Sequence, residues 1–340
     1  MRCHTVNSDH ASYQSLLAYP AEDLCVEYGA NMGEGLGILD DLVLDDAYVL
    51  RDTASPKRLS LQVHPNGCFH VHQDSELGTP GSAIHLDCTL TLQADTSAEI
   101  DGFVMVQVSP QGLISGLFFL PQAPLRADTT YSLIRANRSQ ARQQLAQMAS
   151  VSFTRDTHIT RATGAQVKIQ DLKVGDRVLT RDDGAQEIRW IGHTTARATG
   201  AMAPILIRAG ALNNFNDLIV SPDHRLMVYQ RNDTLGTGCS ELLIRAKDLV
   251  NGDSVVVQQG GFVDYFQILF DRHHIIYAEG IAAESLLIDA STQAVLPQNI
   301  APHLSSSLKH THREEHGLDV ARSLLERPNA VDMLRRASIG

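Results

Sequence analysis

SFTRDTHI, residues 152–159, sets a serine at the head of a short β-prone run, and DLKVGDRV, residues 171–178, follows with a turn and a further strand. The second segment reappears as DLVNGDSV at residues 248–255, matching DL-x-x-GD-x-V at a separation of 77 residues. In each copy the glycine permits a positive φ and the aspartate can hydrogen-bond the turn backbone. Two copies of one turn-then-strand unit inside a single domain predict a pseudo-two-fold arrangement.

Two more motifs lie between and after these copies. Ser221-Pro222-Asp223-His224 places a histidine in a β-turn, and HHIIYAEGIAAES, residues 273–285, reads as a strand pair. A serine hydroxyl needs a base or a polarised target to act as a nucleophile at neutral pH. If Ser152 Oγ sits close to the preceding carbonyl, attack replaces the Val151–Ser152 amide by an ester, an N-to-O acyl shift. The shift is uphill in an unstrained peptide, so the fold must supply strain or stabilise the intermediate. His224 is the natural acid/base, because an imidazole titrates near neutrality. Ser221 would contact the scissile carbonyl or orient the imidazole.

Composition bounds the alternatives. The chain has 340 residues, 43% hydrophobic and 20% charged, enough for two domains with cores at about 100–200 residues per domain. A net charge of −11 argues against nucleic acid or an anionic membrane as partner, since both need a concentrated basic surface. No apolar run approaches the roughly 18–20 residues of a membrane span. The opening MRCHTVNSDHASYQ carries no Sec-type signal, so the default expectation is the cytoplasm, with non-classical export left open. Five widely spaced cysteines (Cys3, Cys25, Cys68, Cys88, Cys239) suggest neither a disulfide framework nor structural zinc.

Residues 1–135 read as a small β-rich domain, with strands at Arg58–Val63, Cys68–His72, Ala83–Ala94 and Gly102–Val108. Residues 136–151, rich in Ala, Arg and Gln, read as a linker helix, and 152–290 return to short strands. Residues 291–340 show helical spacing at Leu318, Ala321, Leu324, Leu325, Val331 and Leu334, and read as a helical tail.

The array at 152–290 resembles a Hint domain, the autoprocessing module shared by inteins and the C-terminal part of hedgehog proteins. The resemblance rests on Ser152-Phe153, Thr157, Ile159, Gly164 and Asp171–Leu179 at the head, Ser221–His224 in the middle, and His274–Ser285 at the tail. Arg189–Gly192 (RWIG) and Asp271–Gly280 match signatures of a bacterial Hint subfamily. The resemblance implies a mainly β horseshoe with a pseudo-two-fold, and carries over Ser152 as nucleophile, His224 and Ser221 as its partners and His274 as a supporting group. It implies no cofactor; the substrate would be the chain's own N-terminal segment, with an unknown protein partner as a further prospect. Glu284-Ser285 stand where splicing inteins cyclise an asparagine, so complete splicing is not expected. Sterol transfer needs an aspartate that would fall at or beside His193, where the sequence offers no carboxylate. Serine replaces the cysteine expected at the head, which makes an inert Hint fold, serving binding or assembly, the rival expectation.

Cys68, His70 and His72 alternate along one predicted strand, with His64 across the preceding turn, and form a weak metal-binding candidate. His273 is expected to face solvent, His310 and His312 to lie in a solvated linker, and Trp190 to be core.

Overall fold

The structure is a computed structural model that describes residues 12–63, 68–95, 99–150, 152–230 and 238–288, with 292, 295, 296, 318, 319, 333 and 334. Described residues up to Ala149 and those from Ser150 onward form separate compact units. Both are built mainly of β-strands. Among the described residues no helix is long and apolar enough to cross a membrane.

The first unit is a nine-stranded antiparallel sheet in which Ala83–Ala94, Phe69–Val71, Lys57–Val63, Ser12–Pro20, Ile114–Pro121 and Glu99–Val108 pair in that order. Glu99–Val108 then pairs back with Ala83–Ala94, which closes these six strands on themselves. Thr130–Asn137, Ala47–Leu50 and Leu24–Tyr28 extend the sheet from Ala83–Ala94. Strand alternation divides the apolar residues between two clusters: Phe103, Met105, Phe118 and Leu120 enter one, Val104 and Phe119 the other. Ala136 and Asn137, assigned to a helix by composition, end a strand, and the helix itself spans Ala141–Ala149. Its Leu145 is buried in the first of those clusters, so the helix packs on this unit's sheet. His64 lies outside the described residues.

The second unit shows how the repeat organises its chain. In the first copy His158–Thr160 and Gln166–Lys168 lead into a 3-10 turn, Ile169–Asp171, and then the strand Arg177–Leu179. In the second copy Arg225–Tyr229 and Glu241–Arg245 lead into a 3-10 turn, Ala246–Leu249, and then Val255–Val257. Ile169 and Ala246 are buried at equivalent places, as are Leu172 with Leu249 and Val178 with Val255. The two copies meet opposite halves of one hairpin: His158–Thr160 pairs with Ile275–Ala278, and Arg225–Tyr229 with Ile281–Glu284. This is the pseudo-two-fold the repeat predicts. Gly175 and Gly252 take φ of 93° and 76°, the left-handed region that glycine enters without a Cβ penalty. Asp176 accepts the Lys173 N–H at 2.9 Å as expected, whereas in the second copy Asn251 takes the corresponding role, accepting from Asp253 and Val255.

A six-stranded sheet runs in the order Trp190–Arg197, Phe262–Leu269, Phe153–Thr154, Leu218–Val220, Ile205–Ile207, Val255–Val257. The two-residue strand Phe153–Thr154 therefore lies between strands from later in the chain, with Phe153 opposite both Val220 and Phe266.

The tail departs from its helical reading. Leu318 and Asp319 form a strand parallel to Glu241–Arg245, with Leu318 opposite Leu242. The unpaired edge of that strand offers hydrogen bonds that outweigh the weak helical preference of two residues. Met333 and Leu334 are helical, and Leu334 is buried in the main core cluster. Most of 291–340, with His310 and His312, lies outside the described residues.

Phe153 is 1% exposed and central to the core, whereas Phe262 is 72% exposed near the end of its strand. Phe153→Ala should cost about 3–5 kcal/mol of unfolding free energy in the full chain. Phe262→Ala, which loses only an exposed ring beside Arg197, should cost at most about 1 kcal/mol. Urea denaturation monitored by Trp190 fluorescence compares the two; equal costs would contradict the assignment of Phe153 to the core.

Candidate functional site

Ser152 reaches its position because Phe153 is fixed between two strands. The chain enters the unit at Ser150, which is fully buried, and Ser152 is only 2% exposed. Val151, and with it the carbonyl of the predicted scissile bond, lies outside the described residues.

Three side chains meet Ser152. Its amide N–H donates to Ser221 Oγ at 3.0 Å, and its carbonyl accepts the Ser221 N–H at 2.9 Å. Ser221 Oγ in turn donates to the Ser150 carbonyl at 3.3 Å. His224 Nδ1 lies 3.1 Å from the Ser152 carbonyl oxygen. Gln267 Nε2 donates to Ser152 Oγ at 3.0 Å and to Ser150 Oγ at 3.2 Å. Ser152, Ser221 and His224 thus converge as the sequence proposes, but with different contacts. Ser221 holds the amide nitrogen and the Ser150 carbonyl, and His224 meets the carbonyl of Ser152 rather than its hydroxyl.

The Ser221–His224 turn is clamped from the second repeat. His224 N–H donates to the Ser221 carbonyl at 3.0 Å, closing the turn. Ala246 and Lys247 N–H groups donate to the His224 and Pro222 carbonyls, each at 2.9 Å. Asp223 pairs with Lys247 at 2.6 Å. The imidazole is fully buried, with its ring centroid 4.4 Å from that of Phe153. Burial lowers its pKa from 6.5 to about 4, against the opposing pull of the Ser152 carbonyl and the Glu284 carboxylate. Backbone carbonyls of both Ser152 and Glu284 face the ring, and a neutral imidazole can donate to one of them only.

Gln267 was not found from the sequence. The available signal was a single amide within the apolar run Tyr265-Phe266-Gln267-Ile268-Leu269, where a buried polar group demands partners. Its place depends on Gly192, directly opposite in the neighbouring strand. A Cβ there would lie 2.3 Å from both Gln267 Oε1 and the Trp190 ring, so the glycine of RWIG leaves the space these two side chains occupy.

The tail hairpin brings different residues close from those expected. His274 pairs with Asp183 at 3.2 Å, packs edge-on to Phe270, and exchanges hydrogen bonds with Ser285 through N–H and carbonyl. His273 is 1% exposed, contrary to its solvent-facing assignment, because it lies inside near Glu284. Glu284, read from the sequence only as a missing splicing residue, is 1% exposed; one oxygen lies 3.4 Å from Arg225, and its charge acts on His224. The hairpin is pinned by Glu279, whose carboxylate accepts the His158 N–H at 2.7 Å and the Asn216 amide at 2.8 Å. Phe215 covers the turn, and a Cβ on Gly280 would come within 2.7 Å of its ring.

A carboxylate does stand beside His193: Asp264 Oδ1 is 3.3 Å from His193 Nε2. Hydrogen bonds from Thr195, Arg155 and His193 lower the Asp264 pKa to about 2. The sequence hid it because the partner comes from across the sheet, Asp264 lying opposite Thr195. Strand alternation sends His193 and Asp264 to the face opposite Gln267, away from the Ser152 hydroxyl.

The other candidates dissolve. Cys68 is exposed and precedes the short strand Phe69–Val71, and His72 pairs with Asp74 beyond it. Among the described residues no group of three or more His, Cys, Asp or Glu is placed to hold a metal, Cys68, His70 and His72 included. Cys25 and Cys88 are not disulfide-bonded, but Cys239 is, which the wide cysteine spacing did not suggest.

No curated protein matches the chain. Among solved structures, the crystal structure of the Ssp DnaB mini-intein variant M86 matches at 11% identity and a TM-score of 0.28, covering 41% of this chain and 97% of that one. The family model described as the Hint domain matches residues 151–290, the segment that holds both repeats, the Ser152 cluster and the tail hairpin. Residues 151–290 of the chain are therefore identified as a Hint domain.

Proposed function

We propose that the Hint domain processes its own chain at Val151–Ser152, by an N-to-O acyl shift that ends in release of the N-terminal segment without splicing. One observation carries the reading. Two reacting atoms of a single residue, the hydroxyl that would attack and the nitrogen that would leave, are each held by a separate buried side chain: Gln267 on Oγ and Ser221 on the N–H. In the reaction Ser152 Oγ bonds to the Val151 carbonyl carbon, the bond from that carbon to Ser152 N breaks, and the hydroxyl proton ends on the amine. Ser221 accepts from the N–H of the leaving nitrogen and donates to the Ser150 carbonyl, which fixes the orientation of the Ser152 amide. His224, neutral at physiological pH, orients the residue through its carbonyl and keeps a basic nitrogen nearby. His274, joined to Ser285 and Asp183, supports the tail hairpin.

A second reading has two contacts in its favour. Gln267 donates into the lone pair that Ser152 would use, and the imidazole touches the carbonyl instead of the hydroxyl. An inert Hint fold acting as a binding or assembly module would leave the geometry so.

Intact-mass analysis of the purified full chain separates them. Processing yields fragments meeting at Val151/Ser152, faster with hydroxylamine, which cleaves esters, and none from Ser152→Ala. A wild-type chain that stays whole under both conditions excludes the proposal in favour of the inert fold.

The buried imidazole also makes the domain acid-sensitive. With a folded pKa of about 4 against 6.5 unfolded, the unfolded chain binds the extra proton between those values. Stability therefore falls as pH drops from about 6.5 and levels off below about 4, a loss of about 3 kcal/mol from this one group. The stability difference between wild type and His224→Gln, measured in urea, should shrink by about that amount between pH 7 and pH 4. A difference independent of pH would show that the imidazole is not held neutral.

A further inference from the structure

Cys239 is disulfide-bonded, and the other four cysteines of the sequence, Cys3, Cys25, Cys68 and Cys88, all precede Ser152. The structure contains a single chain, so the partner sulfur belongs to the same chain. It therefore lies on the N-terminal side of Val151–Ser152. Whichever cysteine supplies it, the loop closed by the bridge contains the proposed scissile bond. Cutting that one peptide bond opens the loop into two segments still joined through sulfur.

The bridge is anchored away from the reacting residue. Cys239 precedes the strand Glu241–Arg245, which pairs with Arg225–Tyr229. Arg225 lies opposite Arg245 at the end next to His224, and Tyr229 opposite Glu241 at the other. Gln230, 1% exposed, clamps that far end. Its backbone N–H donates to the Ser240 carbonyl at 2.8 Å, and its side-chain amide to the Cys239 carbonyl at 2.7 Å. The span from His224 to Gln230 is roughly 20 Å at about 3.4 Å per residue. Cys239 is half-buried there and packs against the domain core. The side chains that meet Ser152 are those of Ser221, His224 and Gln267, none of them at that end.

We propose that the Cys239 disulfide is a redox latch on the processed chain. It retains the N-terminal segment after Val151–Ser152 is cut, and a thiol reductant lets the segment go. The inference rests on the reading that the domain cuts this bond. Cutting is intramolecular and needs no thiol. In the release step a thiolate attacks one sulfur of the bridge and forms a mixed disulfide, which a second thiol then displaces. Two reductant thiols are oxidised to one disulfide, and Cys239 and its partner each leave as a thiol. An oxidising compartment thus keeps the cut chain together, and a reducing one separates it.

The test purifies the full chain without reductant, alkylates its thiols with iodoacetamide, and measures intact mass under denaturing conditions. A phosphine, which reduces disulfides without attacking esters, is added to a second portion. Before reduction the cut chain should run as one species, heavier than the uncut chain by one water or, after hydroxylamine treatment, by one hydroxylamine. After reduction it should give two fragments meeting at Val151/Ser152. Fragments that separate before reduction overturn the latch and leave the cutting intact. A chain uncut in both portions overturns the cutting, and the latch with it. Alkylated Cys239 before reduction, or a doubled mass from a bridge between chains, also overturns the latch. Cys239→Ser should be cut at the wild-type rate and separate without reductant; if it fails to fold by circular dichroism, the two wild-type portions decide.

Discussion

The pairing of Phe153 with both Val220 and Phe266 is the constraint on which the site depends. A strand of two residues has little stability of its own. It holds because its ring is buried in a core built by strands from the rest of the domain. That placement sets Ser152, one residue earlier, against the ends of both flanking strands. Ser221 follows directly after Leu218–Val220, and Gln267 lies within Phe262–Leu269. The candidate nucleophile is thus positioned by backbone pairing, and the side chains around it only refine its orientation.

The same constraint explains why the site is buried. Both repeat copies and the tail hairpin pack around the Ser152 segment, so His224, Glu284 and Ser285 lose nearly all solvent contact. Desolvation then governs the chemistry. It keeps the imidazole neutral well below its ordinary pKa and leaves a carboxylate whose partners are an arginine at 3.4 Å and two histidines. Low dielectric strengthens every remaining interaction with a charge.

The repeat was legible because its signal is local: a glycine at positive φ and apolar residues at fixed offsets fold alike wherever they occur. The Ser152–Ser221–His224 grouping was legible through motif order. Gln267, Glu284 and Asp264 were not, because each acts through cross-strand register, which residue spacing alone does not reveal. His273 was misplaced for a related reason. Two adjacent histidines ahead of a strand suggest one inside and one outside, yet both are buried where the chain enters the hairpin. The helical reading of Leu318 failed because an available strand edge outweighed intrinsic preference.

The central claim is that Ser152 Oγ attacks its own preceding carbonyl, and replacing it with sulfur tests this most directly. Ser152→Cys in the full chain, incubated with an excess of a small thiol, converts the intermediate to a thioester that the thiol can exchange. The account predicts release of residues 1–151 carrying the mass of the added thiol, with the complementary fragment beginning at residue 152. A Ser152→Cys chain that stays intact with thiol, as Ser152→Ala is expected to, or that breaks at another bond, would contradict it.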